Sequence, residues 1–159
     1  MTNLHHLSAE AIRKALDTGR TVAAAESLTA GMVSAVLADT PGASGVLQGG
    51  VVAYQNSVKE SVLDVPSELL ARVGSVDPDV AAAMAAGART VLRADIGVST
   101  TGVAGPDAHD GKPVGTVYVG IATAGGTSAF AYSFAGNRSE IRGQACGAAL
   151  ERLLEALSR

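Results

Sequence analysis

Apolar strand-like segments alternate with helical ones over the first two thirds of this 159-residue chain, and an antiparallel strand pair follows. That order predicts a three-layer α/β/α sandwich around a mixed, mostly parallel sheet. Composition agrees: 47% of residues are hydrophobic and 17% charged, the balance of a globular chain with one core. No linker, repeat or low-complexity tract interrupts it, so a single domain over residues 1–159 is expected.

Each element has its own signal. Ser8 is placed to cap a helix reaching about Asp17, with Gly19 as its left-handed stop. Residues 21–25 form a short apolar strand. Residues 29–38 have a helical stripe of Met32, Val33, Val36 and Leu37, ended at Asp39-Thr-Pro-Gly. A second strand spans 45–53. Two short helical pieces follow at 56–63 and 66–73, the first capped by Asn56. Asp77-Pro78-Asp79 starts a helix strongly, with a capping carboxylate, proline at the first helical position and an acid near the positive end of the dipole. That helix runs to about Arg93. A third strand over 95–101 leads into a polar, glycine-rich loop at 102–113. Strands at 114–124 and 127–134 turn at Gly125-Gly126. Asn137 caps the last helix, with Cys146, Leu150, Leu153, Leu154 and Leu157 at helical spacing.

Several function classes recede. A formal charge of −3 offers no basic footprint for nucleic acid. The single cysteine, Cys146, excludes an internal disulfide and a multi-cysteine zinc site. The N-terminus lacks a basic stretch followed by an apolar run, and no segment approaches the roughly 20 apolar residues of a membrane span. A cytoplasmic location is expected.

Ligands in open α/β sheets bind beyond the carboxyl ends of strands. Ser27 follows the first strand, Tyr54 and Lys59 the second, and the Gly102 loop the third. A lysine kept partly dry becomes a neutral base able to activate a serine, so Ser27 and Lys59 form a candidate dyad. Taken singly, Ser27 also reads as a helix cap and Lys59 as a solvated lysine. Thr101-Gly-Val-Ala-Gly-Pro-Asp107 could bring main-chain N–H groups up to an anion, or be a surface turn. It fits neither the Walker A nor the dinucleotide pattern. Asp107, His109 and Asp110 read as a solvated loop before a metal set. Arg138 and Arg142, one turn apart at the start of the last helix, suit an anion or ordinary surface placement.

Together, Ala25-Glu-Ser-Leu-Thr-Ala-Gly31, Gly49-Gly-Val-Val-Ala-Tyr-Gln-Asn-Ser-Val-Lys59, Thr101-Gly-Val-Ala-Gly-Pro-Asp107, Lys112-Pro-Val-Gly-Thr-Val-Tyr118 and Gly136-Asn-Arg138 resemble the CinA C-terminal domain family of nicotinamide-nucleotide amidohydrolases. The resemblance runs from about Leu7 to Leu157. It implies hydrolysis of the carboxamide of nicotinamide mononucleotide to nicotinate mononucleotide and ammonia, with no metal or other cofactor. By position, Ser27 matches the nucleophile, Lys59 the general base and Tyr54 the adjacent tyrosine that orients the lysine or relays its proton. Thr29, Gly31, Thr101, Gly102, Ala104, Gly105, Arg138 and Arg142 form the expected substrate-binding set. The implied partner is the small-molecule substrate, without nucleic acid or membrane, and a homo-oligomer is expected. Two departures stand out: Leu28-Thr-Ala30-Gly31 replaces the family's Cys-Thr-Gly-Gly, and Ala108-His109 replaces two glycines. The alternatives are a non-catalytic nucleotide-binding or regulatory module of the competence and DNA-damage type, and an amidase for another small carboxamide.

Overall fold

The computed structural model describes residues 3–159. Five strands, β1 (Val22–Glu26), β2 (Leu47–Val52), β3 (Ile96–Gly102), β4 (Thr116–Thr123) and β5 (Gly126–Ser133), form one sheet in the order β2-β1-β3-β4-β5. β1 pairs in parallel with β2 and β3, while β3–β4 and β4–β5 are antiparallel, so β4 alone runs against the others. Helices α1 (Leu4–Thr18), α2 (Met32–Ala38) and α6 (Arg138–Leu157) cover one face. Helices α3 (Asn56–Ser61), α4 (Ser67–Val73) and α5 (Pro78–Val91) belong to the other. The expected three-layer sandwich is the observed one.

Alternation along β1 divides its side chains between the layers. Val22 and Ala24 enter the core beneath α1, α2 and α6, while Ala23 and Ala25 enter the core with α5. Both sides of β1 are buried throughout, which explains its apolar run from Val22 to Ala25. α5 lies close against β3 and β4 because Gly97 and Gly120 present no side chain there. A Cβ at either would overlap the main-chain oxygen of Ala85 or Ala81. Ser99 Oγ donates to the Ala81 oxygen at 2.5 Å and fixes that approach.

The caps follow the sequence in part. Gly19 ends α1 in the left-handed region, Asp77 accepts from the Asp79 N–H, and Asn137 accepts from the Glu140 N–H. Ser8 is not a cap: α1 begins earlier, Asn3 caps it, and the buried Ser8 hydroxyl donates across to the Val36 carbonyl. Asn56 is not a cap either, since Gln55 holds that position without a side-chain bond. The helix expected from residue 29 starts at Met32, because residues 27–31 form a turn with Ala30 and Gly31 at φ 47° and 100°.

The close approach of α5 is open to test. Gly120→Ala should lower unfolding stability by about 1–3 kcal/mol through overpacking. Gly143→Ala, in α6 with open space around its added methyl, should raise it by about 0.4–1 kcal/mol. Equilibrium urea unfolding measures both, and a neutral Gly120→Ala would contradict the packing argument.

Candidate active site

The chain steps from β1 outward to β2 and then returns past β1 to β3, so its winding reverses between β1 and β3. A crevice forms at such a reversal, beyond the carboxyl ends of the strands. Here it is a cleft of about 520 Å³ lined by Ser27 and Leu28 after β1, Tyr54 to Asn56 after β2, residues 102–110 after β3, Ser75 and Arg138.

Lys59 is the largest fully buried side chain, only 1% exposed. Its Nζ donates to Ser27 Oγ at 3.1 Å and to the Tyr54 main-chain carbonyl at 3.1 Å. Burial pulls its pKa from the ordinary 10.5 to about 8, while the negative charge of Asp110 acts in the opposite direction. The neutral form, negligible near pH 7 for an ordinary lysine, becomes a minority species of about a tenth there and half near pH 8, which is what a base requires.

The turn carrying Ser27 is braced from three sides. Glu26, 1% exposed, accepts from Thr29 Oγ1 at 2.6 Å, the Val33 N–H at 2.8 Å, and the Ser34 N–H and hydroxyl at 3.0 and 2.7 Å. A carboxylate thus satisfies the first free amides of α2. Thr29 Oγ1 also meets Thr100 Oγ1 at 2.7 Å, and the Ser27 N–H donates to the Thr100 carbonyl. From α6, Arg142 donates to the main-chain oxygens of Leu28 at 2.8 Å and Thr29 at 3.1 Å. The Leu28 amide makes no hydrogen bond among the described residues.

Across the cleft, Asp110 accepts from the Ser75 N–H at 3.0 Å and the Ser75 hydroxyl at 3.1 Å, which pins the 102–113 loop. The Ser75 main-chain N–H is the chief cause holding the Asp110 carboxyl below its ordinary pKa. Arg138 closes the outer rim, donating to the Gly105 carbonyl at 2.6 Å and the Tyr54 hydroxyl at 2.9 Å.

Of the residues expected from sequence, Ser27, Tyr54, Lys59, Gly102, Ala104, Gly105 and Arg138 converge here. Tyr54 acts on Lys59 through its carbonyl, and its half-exposed phenol turns to Arg138, so the phenol is not the group that orients the lysine. Thr29, Gly31 and Thr101 lie outside the cleft lining: the Thr29 hydroxyl is spent on Glu26, that of Thr101 on the Ser75 carbonyl, and Gly31 shapes the turn. Arg142 clamps that turn and does not line the cleft. Sequence reasoning missed Glu26 and Ser75, and Asp110, read as part of a solvated loop, is instead bonded to Ser75. For Glu26 the signal was a carboxylate ending an apolar strand just before a helix; for Ser75 none was present. Among the described residues no three His, Cys, Asp or Glu side chains form a group able to hold a metal ion, and no helix is long and apolar enough to cross a membrane.

Fold and site define an α/β/α domain with a buried serine–lysine pair at the switch point of its sheet. The profile of the CinA C-terminal domain matches residues 4–157, and the chain belongs to that family. It is 50% identical over 140 residues to a CinA-like protein of Anaeromyxobacter sp. (strain K), covering 87% of this chain and 34% of that protein. The crystal structure of the competence damage-inducible protein A (ComA) from Klebsiella pneumoniae subsp. pneumoniae MGH 78578 superposes with a TM-score of 0.95 at 32% identity, covering 99% of this chain and 98% of that one. The competence/damage inducible protein CihA from Agrobacterium tumefaciens gives 0.93 at 33% identity, over 98% and 96%. The chain spans about a third of the length of the curated relatives it matches (36%, 33% and 30% for three of them).

The buried amine has a consequence for stability. Because the folded pKa of Lys59 lies below its unfolded value, the unfolded chain holds more protons between pH 8 and 10.5. The lysine therefore destabilises the fold fully below about pH 8, by roughly 2–4 kcal/mol, and this penalty fades as pH rises to 10.5. Relative to Lys59→Met, the parent chain should gain stability through that window. Parallel stability profiles for the two would contradict the burial argument.

Proposed function

We propose that this chain hydrolyses the carboxamide of nicotinamide mononucleotide to nicotinate mononucleotide and ammonia, by acyl transfer to Ser27. The observation that carries the reading is the 3.1 Å contact between Lys59 Nζ and Ser27 Oγ, with the lysine pKa brought to about 8. In the neutral form the contact reverses, and the amine accepts the Ser27 hydroxyl proton as Oγ attacks the amide carbon. The unspent Leu28 N–H beside the nucleophile is the candidate oxyanion donor, a contribution of about 3–4 kcal/mol in comparable sites. As the C–N bond breaks, the Lys59 ammonium returns its proton to the leaving nitrogen, which departs as ammonia. Water then gives a proton to Lys59 and attacks the acyl carbon; as the C–Oγ bond breaks the lysine returns that proton to Ser27 Oγ, and nicotinate mononucleotide leaves.

At the nucleotide end, Ala104, Gly105 and Arg138 line the cleft, and Arg138 carries the positive charge. Arg138 is accordingly assigned to the phosphate, and Arg142 to holding the Ser27 turn. Binding energy from the phosphate would position the amide over Ser27.

Ammonia release from nicotinamide mononucleotide by the purified chain tests the reading. Ser27→Ala and Lys59→Ala should each lower turnover at least roughly a thousandfold. Lys59→Arg should not rescue it, because arginine cannot act as a neutral base at physiological pH. Turnover in the parent should rise with pH through about 8 as Lys59 loses its proton. Absence of ammonia release would favour a non-catalytic module, and retained activity in Ser27→Ala would remove the serine from the mechanism.

Arg138→Ala should reduce kcat/KM for the mononucleotide about ten- to hundredfold, mainly through KM, and free nicotinamide should be a very poor substrate. Equal efficiency on nicotinamide and its mononucleotide would point to a general small-amide hydrolase.

A further inference from the structure

The two edges of the sheet are built differently. At the β2 edge the pairing with β1 shifts register between Val22 and Ala23, and Gly49 departs to φ 156° with Leu92 packed over it. Such irregularity guards an edge against pairing with another chain. At the far edge, β5 pairs with β4 over eight consecutive residues, Gly126 to Ser133, with no register shift. Its outer side is bare, with Thr127, Ala129, Ala131 and Ser133 all exposed.

Nor does charge guard this edge. Between Lys112 and Arg138 the sequence has no Asp, Glu, Lys, Arg or His, and β5 contains no proline. Inward charges, lysines, prolines and bulges are the usual defences of an edge strand, and β5 has none. Elsewhere the chain carries a formal net charge of −3, so this neutral strip is where two copies meet with least repulsion.

The outward hydrogen-bonding groups are identifiable. The Phe134 N–H donates to the Gly115 carbonyl, and the Val103 N–H to the Thr116 carbonyl, which turns Thr116 toward β3 and Val117 toward β5. With the two-residue alternation of a strand, Phe130 and Tyr132 then bond to β4. Main-chain groups of Thr127, Ala129, Ala131 and Ser133 are left facing outward. These four side chains are small, so a second strand can approach at normal spacing.

We propose that β5 is a self-association surface, pairing antiparallel with β5 of a second copy about a two-fold axis at Phe130. In this register Ala129 faces the partner's Ala131, and Thr127 faces the partner's Ser133. Four hydrogen-bonded pairs give about eight main-chain hydrogen bonds, and the two sheets become one. The axis brings the Phe130 rings of both copies together on the α6 side. There Arg152 already stacks over Phe130 at 3.9 Å, and its Nε donates to the Tyr132 hydroxyl at 2.6 Å, so the aromatic patch is ordered before association. Self-pairing is favoured over capture of a foreign strand because a two-fold axis satisfies the same small, uncharged register on both sides at once. Both active-site clefts remain open, since the lining of neither includes a β5 residue.

Sedimentation equilibrium of the full chain tests the surface, and the parent should be a dimer. Ala129→Lys combined with Ala131→Lys opposes like charges twice across the axis and should weaken the dimer about ten- to thirtyfold. Ala129→Lys combined with Ala131→Glu carries two charges as well, yet faces opposite signs in the same register and should restore association. All substituted positions are exposed, and circular dichroism with thermal unfolding checks that each variant remains folded. A monomeric parent would overturn the proposal, as would a dimer indifferent to the double-lysine variant. Equal weakening by both double variants would overturn the Phe130-centred register.

Discussion

Taking the Lys59 amine out of water is unfavourable, and much of the rim is arranged around that fact. Two acceptors, Ser27 Oγ and the Tyr54 carbonyl, meet the Nζ within hydrogen-bond distance, and Asp110 supplies a more distant negative charge. Desolvation wins over the attraction, which brings the pKa toward neutrality and leaves the base usable. The same burial that weakens the fold is what the proposed chemistry needs. In the proposed mechanism, stability given up at one buried group lets a hydroxyl be activated without histidine.

Holding that contact requires two segments far apart in sequence to meet within an ångström or so. Parallel pairing of β1 with β2 brings Ser27 and the Tyr54–Lys59 segment to the same rim, and the Ala53 N–H donating to the Glu26 carbonyl extends that pairing to the last residue before the serine. The turn after Ser27 would otherwise be loose, with Ala30 in a strained left-handed conformation. Glu26 draws it down from within, and Arg142 clamps its carbonyls from α6. As the proposed nucleophile, Ser27 on so constrained a turn would lose little freedom on reaching its attacking geometry.

The layers, the mixed sheet and the meeting of Ser27 with Lys59 were legible because they rest on local patterns. Apolar runs such as 22–25 announce a strand buried on both faces, and residues just beyond strand ends are where ligands meet an α/β sheet. Phase and long-range partners were less legible. Ser8 looked like a cap, but Asn3 starts the helix a turn earlier and leaves the hydroxyl to bond Val36 across a helix interface. Arg138 and Arg142 have identical local settings, yet one turn of helix sends the first to the cleft rim and the second beneath the serine turn. Thr29 belonged to the right segment, but its hydroxyl is drawn inward by a carboxylate whose role depends on the fold. Ser75 pairing with Asp110 joins loops 35 residues apart and had no signature in either.

The proposed chemistry depends on Lys59 being a buried amine that loses its proton near pH 8 while it touches Ser27. Titrating the Lys59 side chain directly, by following its Nζ and Cε resonances across pH in the ligand-free chain, tests this most closely. The midpoint should lie near 8, with a change in the Ser27 environment over the same range. A midpoint at the ordinary 10.5 would contradict the account, since the lysine would then be a charged structural residue.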